Sequence, residues 1–260
     1  MRQFLFLLAA LCPAADFHFV ILGDRTGETQ PGIYEQIWKA AAQEDPAFVI
    51  TVGDTIQGLD DKTADAEWRE AQQIFPKQIA LYLTPGNHDV WSALSEKLYR
   101  KYSGRPLHYS FDYEQAHFTI LDNSRADQFS ADELQWLESD LRAHEKQPLK
   151  FVISHRPSWL LDIMLRNPQN AVHQLAKKYG VQYVVSGHVH QMIHLDLEGV
   201  MYLSMPSAGG HLRSSMKYED GWFFAHTRVD VTESGVQFQI KEITGRVTAP
   251  ADWTGYGLRH

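Results

Sequence analysis

The sequence is constrained most by a series of strand-like segments that each end in a residue able to bind a metal ion. The apolar segment 19–23 is followed by Asp24, and the similar segment 48–53 is followed by Asp54. Three later segments end in the same way, and the residues that follow them are Asn87-His88-Asp89, His155 and His188-Val189-His190. Because ligands of open α/β sheets bind beyond the carboxyl ends of the strands, we expect these side chains to converge.

Helix-like stretches separate these strands, at residues 32–42, 63–75, 91–101 and 168–178. One more helix is predicted to begin at Ser130, with Glu133 completing a capping box. From about residue 190 onwards, strand-like segments follow one another with short turns. This order predicts an α/β fold (mixed α+β) with mixed rather than purely parallel sheets, in a single domain over residues 16–260.

Glycine precedes several of the candidate ligands, where it lets the backbone turn sharply and approach its neighbours closely. Each motif alone is weak evidence, because a Gly-Asp pair after a strand is most often a turn. A lone histidine is likewise more often a hydrogen-bonded structural residue than a ligand. The ordered combination of all five strand ends is what indicates a metal site.

The composition decides which metal chemistry is open. Among 260 residues there are 13 histidines and one cysteine, Cys12, so disulfide frameworks and thiolate clusters are excluded. Carboxylate, imidazole and amide ligands remain, and together they suit Mn, Fe, Zn or Co rather than Mg or Ca. The formal net charge of −8 without a Lys/Arg block argues against a nucleic-acid scaffold as a partner.

The first 15 residues are predicted to form an export signal. Arg2 precedes nine apolar residues, 4–12, and small residues follow, which is the pattern of a secretory signal and too short for a membrane span. A buried N-terminal strand or helix is the alternative. Cleavage near Ala15 would give a secreted or periplasmic protein, whereas a lipoprotein attached at Cys12 is disfavoured by the preceding Leu11. No later apolar run is long enough to span a membrane.

The ordered set Gly-Asp, Gly-Asp, Gly-Asn-His-Asp, His and Gly-His-X-His resembles the calcineurin-like metallophosphoesterase superfamily, which includes purple acid phosphatases and cyclic-nucleotide phosphodiesterases. The likeness runs from about residue 17 to residue 190, and GNHD and GHVH are its most specific parts. It implies a four-layer αββα sandwich of two mixed β-sheets flanked by helices. It also implies hydrolysis of a small phosphomonoester or phosphodiester at a binuclear centre of divalent or trivalent metal ions.

The resemblance also assigns roles to the residues at the strand ends. Asp54 would bridge the two metal ions, and Asp24 and His190 would bind the first of them. The second ion would be bound by Asn87, His155 and His188. His88 would lie beside the metals without binding them, where it is placed to protonate the leaving group. Asp89 is expected to orient the His88 imidazole, as a carboxylate does in a hydrolase triad.

One departure from the family pattern affects the first metal ion. The first motif is commonly Asp-X-His, but residues 24–26 read Asp-Arg-Thr, and Thr26 is a poor ligand beside imidazole. Purple acid phosphatases also lack this histidine and use a tyrosine three residues after the bridging aspartate. That place is taken by Gln57, whose amide oxygen can bind a metal ion. We therefore expect the first ion to be bound more weakly, or to be completed by water.

Four further residues are candidate substrate ligands. Arg25 and Arg156 flank proposed metal ligands and could bind phosphate oxygens, although surface pairing with a carboxylate is an equal alternative. His211 and Arg213 lie in a long Ser- and Gly-rich segment that is expected to line the site. Trp159 could form an apolar wall for a leaving group, with core packing as the alternative.

Two other classes of function remain open. A metal- or phosphate-binding module on the same fold, with weak or no turnover, is suggested by Thr26. A glycan-directed hydrolase is suggested by the seven tryptophans and the predicted export. The second would need a catalytic carboxylate pair, and the sequence offers no strong pair outside the candidate metal ligands.

Overall fold

A computed structural model of the chain describes residues 15–253. The predicted signal, together with Cys12, lies outside these residues except for Ala15, so export remains a prediction. Within the described part of the chain, no helix has the length and apolar character needed to cross a bilayer.

Strands and helices are interspersed up to residue 186, and mainly strands follow after it. The strands are β1 (Phe17–Leu22), β2 (Phe48–Thr51), β3 (Ala80–Leu83), β4 (Tyr109–Tyr113), β5 (Ala116–Ile120), β6 (Leu149–Ile153), β7 (Tyr183–Ser186), β8 (Ile193–Leu197), β9 (Val200–Ser204), β10 (Ala225–Thr232), β11 (Gly235–Glu242) and β12 (Val247–Thr248). The helices are α1 (Ile33–Gln43), α2 (Ala64–Ile74), α3 (Ala93–Ser103), α4 (Ala131–Ala143), α5 (Leu160–Met164) and α6 (Ala171–Tyr179).

The strands form two mixed sheets of six strands each. In the first sheet the order is β12-β11-β10-β1-β2-β3, with β1, β2 and β3 parallel and β10 antiparallel to β1. In the second sheet the order is β4-β5-β6-β7-β9-β8, in which β5, β6, β7 and β9 run parallel. The predicted mixed α/β class is therefore confirmed, and it follows from hairpins added to the edges of parallel strands.

The layers follow from the alternation of side chains along each buried strand. Phe19 and Ile21 of β1 face the second sheet, where they pack in one cluster with Phe118 and Phe151. Val20 and Leu22, which alternate with them along β1, face the opposite way and pack against α1, α2 and α3. Helices α4, α5 and α6 cover the outer face of the second sheet in the same manner. The result is the expected four-layer αββα sandwich.

The start of α4 differs in part from its predicted form. Ser130 caps the helix as expected, because its Oγ accepts a hydrogen bond from the Glu133 amide at 3.1 Å. The predicted return bond of the capping box is wrong. The Glu133 carboxylate instead accepts the backbone amide of Asp122 and lies 2.8 Å from His108 Nδ1. These tertiary partners hold the carboxylate away from the helix end, which sequence spacing alone does not reveal.

The C-terminal strands complete the first sheet rather than forming a separate layer. Strand β10 pairs along the whole of β1, so the last part of the chain lies beside the strand that leads to Asp24. Glu44, at the end of α1, ties the two parts together, since its carboxylate lies 2.7 Å from Lys241 Nζ and 3.1 Å from Arg228 Nη1. Burial acts to raise the pKa of Glu44, but bonds to Lys241, Arg228 and His226 outweigh it and lower the pKa to about 2.

Candidate metal centre

All the predicted ligands lie at one edge of the sandwich, where strands of both sheets end. Strands β1, β2 and β3 of the first sheet lead to Asp24, Asp54 and Asn87. Strands β6 and β7 of the second sheet lead to His155 and to the turn that carries His188 and His190. The packing of two sheets on a common core brings these five strand ends together, although they are far apart in the sequence.

The tightest group of candidate ligands surrounds His155. Its Nε2 lies 2.9 Å from Asn87 Oδ1, 3.1 Å from His188 Nδ1 and 3.3 Å from Asp54 Oδ1. The other ring nitrogen, Nδ1, donates to the carbonyl of Val52 at 2.8 Å, which fixes the ring and turns Nε2 toward the group. A second hydrogen bond of this kind is what orients imidazole ligands in metal sites.

Burial and charge shift the pKa values in this group in opposite directions. Burial acts to lower the pKa of His155, but the Asp54 carboxylate dominates and raises it to about 9. Burial, with the charge of His155, lowers the pKa of His188 to about 4. Burial acts to raise the pKa of Asp54, yet His155 and His88 hold it below its usual range. The Asp54 carboxylate and the His155 imidazole therefore favour each other's charged forms.

Asp24 and His190 form the neighbouring part of the cluster. His190 Nε2 lies 3.3 Å from Asp24 Oδ2, and both side chains are fully buried. His190 Nδ1 donates to the carbonyl of His211 at 2.7 Å, so its Nε2 faces the cluster. The Asp24 carboxylate also accepts the backbone amide of His188 at 2.8 Å. Residues His188 and His190 have φ values of 68° and 61°, and this left-handed backbone turns both side chains inward.

The glycines beside the ligands are required by close approach. A Cβ atom at Gly86 would overlap the backbone nitrogen and Oδ1 of Asp54. A Cβ atom at Gly187 would overlap Asp24 Oδ1 in the same way. These positions therefore cannot take a side chain without moving a carboxylate, which explains why glycine precedes Asn87 and His188 in the sequence.

The donor set fits a metal ion. Asp54 Oδ1 accepts the amide of His88 at 2.9 Å, whereas Oδ2 is buried and has no hydrogen-bond partner among residues 15–253. A buried carboxylate oxygen without a partner is costly, unless a cation is bound to it. Asp54, His155 and His188 each direct one ligand atom into a common volume. Carboxylate, imidazole and the Asn87 amide oxygen are together the ligands of transition-metal ions.

The structure corrects the role expected for Asp89. Its carboxylate is buried and accepts the backbone amides of Thr55 at 2.8 Å and Gly86 at 3.0 Å, so it joins the loops that follow β2 and β3. The partner of His88 Nδ1 is instead the carbonyl of Gln57. Burial, with the charge of Asp54, raises the pKa of Asp89 to about 7. Asp89 acts on the centre by holding its loops, not by orienting His88.

The two candidates for completing the first metal site contact each other. Thr26 is fully buried, and its hydroxyl donates to Oε1 of Gln57. The loop after β1 therefore meets the loop after β2 through this bond, directly beside the residues Asp24 and Asp54. A ligand supplied from here requires this hydrogen bond to be broken or shared.

Of the candidate substrate ligands, Arg25 is the least available. It is buried, and its guanidinium donates to Glu70 Oε1 and lies over the ring of Tyr34. Arg213 is exposed and lies 3.3 Å from His190 Nε2, while His211 contacts the centre through its backbone carbonyl. Both Arg25 and Arg156 therefore pair with a carboxylate, Glu70 and Asp127 respectively, as the alternative predicted.

Arg156 is held beside the centre by a residue that the sequence did not single out. Asn123 accepts the backbone amide of Arg156 at 3.0 Å and donates to its carbonyl at 2.8 Å. The Arg156 guanidinium donates through Nη1 to the Asp127 carboxylate. Asn123 follows Asp122 in a loop without any motif, so only the tertiary contact identifies it. Trp159, three residues further along, is buried in the core, as the alternative predicted.

A second group of metal-binding residue types, Asp112, His117 and His144, lies at the opposite ends of the strands. His117 is at the start of β5 and pairs with Asp112 across the β4–β5 hairpin. Both of its ring nitrogens are already engaged, at 2.7 Å from Asp112 Oδ1 and 2.9 Å from Asp140 Oδ2. These bonds connect the hairpin to α4, and they leave neither His117 nitrogen free to bind a metal ion, so we assign this group a structural role.

Comparison with known proteins also indicates a metal-dependent site. The family model described as calcineurin-like phosphoesterase matches residues 14–192. The 3',5'-cyclic adenosine monophosphate phosphodiesterase CpdA of Escherichia coli (strain K12) is 29% identical over 202 residues, which are 74% of this chain and 71% of that protein. Purple acid phosphatase 15 of Arabidopsis thaliana is 23% identical over 179 residues, 59% of this chain and 34% of that protein. The structure of a purple acid phosphatase from yellow lupin seeds superposes with a TM-score of 0.67 at 16% identity, covering 91% of this chain and 53% of that one.

Proposed function

The chain belongs to the calcineurin-like phosphoesterase family of metal-dependent phosphoester hydrolases, and we propose that it hydrolyses phosphodiesters or phosphomonoesters at a binuclear metal centre. The observation that carries the proposal is the convergence of Asp54, Asn87 and His188 on Nε2 of His155, together with the buried Asp54 oxygen that has no partner among the described residues. Diesters such as cyclic nucleotides are the first substrates to test, because cyclic-nucleotide phosphodiesterases are among the named relatives.

We assign the two metal ions to neighbouring parts of the cluster. Asn87, His155 and His188 would bind one ion, and His155 would release the proton on Nε2 to do so. Asp24 and His190 would bind the other, with Asp54 offering one oxygen to each. Because Thr26 and Gln57 are bonded to each other, this second group has fewer free ligands, and we expect its ion to be bound more weakly.

The chemistry divides between the ions and the side chains around them. When bound, two such ions neutralise phosphoryl oxygens and activate a water molecule for in-line attack. His88 is partly exposed at the edge of the centre, and its Nδ1 donates to the carbonyl of Gln57. The carbonyl can only accept, so Nε2 of His88 is the atom left to exchange a proton with the leaving oxygen.

The proposal is tested by assaying the purified protein with added Mn²⁺ against nitrophenyl phosphate, bis-nitrophenyl phosphate and cyclic adenosine monophosphate. The variant His88→Ala should lower kcat by about 100-fold or more while the bound metal stays unchanged, since general acid catalysis contributes a factor of roughly 10²–10⁴. His108→Ala is the matched control, because His108 is also partly exposed but pairs with Glu133.

A binding module without turnover is the alternative, and the same assay separates it. Such a module would bind metal and phosphate but hydrolyse none of the three esters with any divalent ion. That result would overturn the proposal. Equal loss of metal and of turnover in His88→Ala would contradict the role given to His88.

A further inference from the structure

A cavity of about 390 Å³ opens directly beside His188. One side of it is formed by the segment 156–158, which follows His155, and the other side is formed by Leu160, Leu161 and Met164 of α5. Asp127 and Gln128 lie at its edge. The cavity is thus continuous with the proposed metal centre but extends away from it along a largely apolar surface.

The apolar wall is exposed at its surface and firmly anchored below. Leu161 and Met164 are one turn apart on α5, and their exposed fractions are 68% and 40%. Trp159 and Ile163 of the same segment are buried, and the Trp159 indole donates to Ser186 Oγ at 3.0 Å. Ser186 is the last residue of β7, the strand that leads to His188. The wall is therefore fixed in position relative to the centre.

An ion pair between Arg156 and Asp127 stands where the cavity meets the centre. Arg156 contributes to this cavity and also to a second one of about 320 Å³, which reaches Asn87 and Arg125. The Asn123 side chain hydrogen-bonds both the backbone amide and the backbone carbonyl of Arg156. The guanidinium is paired with Asp127 through Nη1 and lines the entrance to the apolar cavity, where it can attract an anionic oxygen.

We propose that this cavity binds the organic group of the phosphoester, and that it selects a planar apolar group of aryl or nucleobase size. The proposal rests on the proposed function, since it places the phosphoryl group at the metal centre and at Arg156. Pockets for such ligands typically measure roughly 300–1,000 Å³, with mostly apolar linings and a few polar groups. Leu161 and Met164 supply the apolar surface, and Asp127 and Gln128 supply polar groups for the edge of a ring. A site for inorganic phosphate alone would need none of these.

The test compares two anions that differ only by the organic group. Isothermal titration of the full chain with Mn²⁺ present measures the affinities for adenosine monophosphate and for inorganic phosphate. The double variant Leu161→Ser/Met164→Ser should weaken binding of adenosine monophosphate about tenfold, because the apolar contact is lost, and leave phosphate binding within about twofold. Leu165→Ser is the matched control, since Leu165 is 71% exposed next to the wall but does not line the cavity.

The outcomes separate this proposal from the proposed function. Because binding is measured directly, a protein that hydrolyses no ester but shows the expected selectivity would keep the subsite and lose the proposed function. Equal affinities of the wild type for the two anions would overturn the subsite. The subsite would also be overturned if the double variant bound adenosine monophosphate as tightly as the wild type does.

Discussion

At the scale of single residues, the centre depends on backbone positions that leave no room for a side chain. Gly86 is the clearest of these, because the Asp54 carboxylate lies where its Cβ atom would be. Asp54 can reach both proposed metal ions only if its carboxylate keeps this close contact with the Gly86 backbone. A methyl group at Gly86 therefore probes the position of Asp54 without removing any ligand.

The variant Gly86→Ala is expected to displace Asp54 and to lower kcat/KM by about 100-fold, since a displacement of about 1 Å in a catalytic site can cost that factor. Bound metal should fall as well. The control is Gly32→Ala, at a position with open space but a φ of 77°. It should lose about 1 kcal/mol of unfolding free energy from strain and keep its activity. Kinetics and metal analysis of both variants provide the check, and a fully active Gly86→Ala protein would contradict the account.

Residue types at strand ends could be predicted from the sequence, but their partners could not. The candidates Asp24, Asp54 and His155 follow apolar runs, and the geometry of a sheet then places them at one edge. The partners of Asp89 are amides of two loops that only tertiary packing brings together, so spacing suggested His88 instead. Arg25 shows the same limit, because its bond to Glu70 joins residues that lie on separate elements.

At the scale of elements, Glu44 connects α1 with the C-terminal strands. It is largely buried between Arg228 of β10 and Lys241 of β11. A pKa of about 2, against 4.5 for an unperturbed glutamate, means that the ionised form stabilises the folded state. This contribution is fully present above pH 4.5 and is lost as the pH falls through about 2.

The variant Glu44→Gln should therefore lower the free energy of unfolding by about 2 kcal/mol at pH 7, allowing for partial exposure. The difference from wild type should shrink as the pH falls from 4.5 toward 2. Urea unfolding over this range measures it, with Glu35→Gln as the control, since Glu35 is an exposed residue of the same helix. A difference that stays constant with pH would show that the ion pairs are not its cause.

Periodicity predicted most of the elements within a few residues, and its failures have physical reasons. The helix α5 has only five residues, too short for a periodic pattern, yet it forms the wall of the cavity beside His188. The pairing of β10 with β1 joins segments some two hundred residues apart, and nothing local specifies it. Very short helices and pairings between distant segments are thus the features that local periodicity does not predict.

At the scale of the whole molecule, the proposed centre joins the two sheets. Asp54 and Asn87 come from the first sheet, and His155 and His188 come from the second. A metal ion bound by both groups would stabilise only the arrangement in which the sheets are packed together. Metal binding should therefore act on the stability of the entire fold.

Thermal unfolding should then occur in one transition, whose midpoint rises with the concentration of Mn²⁺. At a free concentration 100 times the dissociation constant, the gain is about 2.7 kcal/mol. Calorimetry with and without Mn²⁺ measures the shift. Two separate transitions, of which only one responds to metal, would show that the sheets unfold independently and that the ligands do not act across them.

The central claim is that the residues at the strand ends bind the metal ions that carry the reaction. Equilibrium dialysis against Mn²⁺, followed by elemental analysis and a bis-nitrophenyl phosphate assay on the same samples, tests it most directly. We predict that wild-type protein binds two ions per chain, one more weakly, that activity rises with occupancy, and that Asp54→Asn loses both metal and activity. Full activity in metal-free protein, or unchanged metal content in Asp54→Asn, would contradict the account.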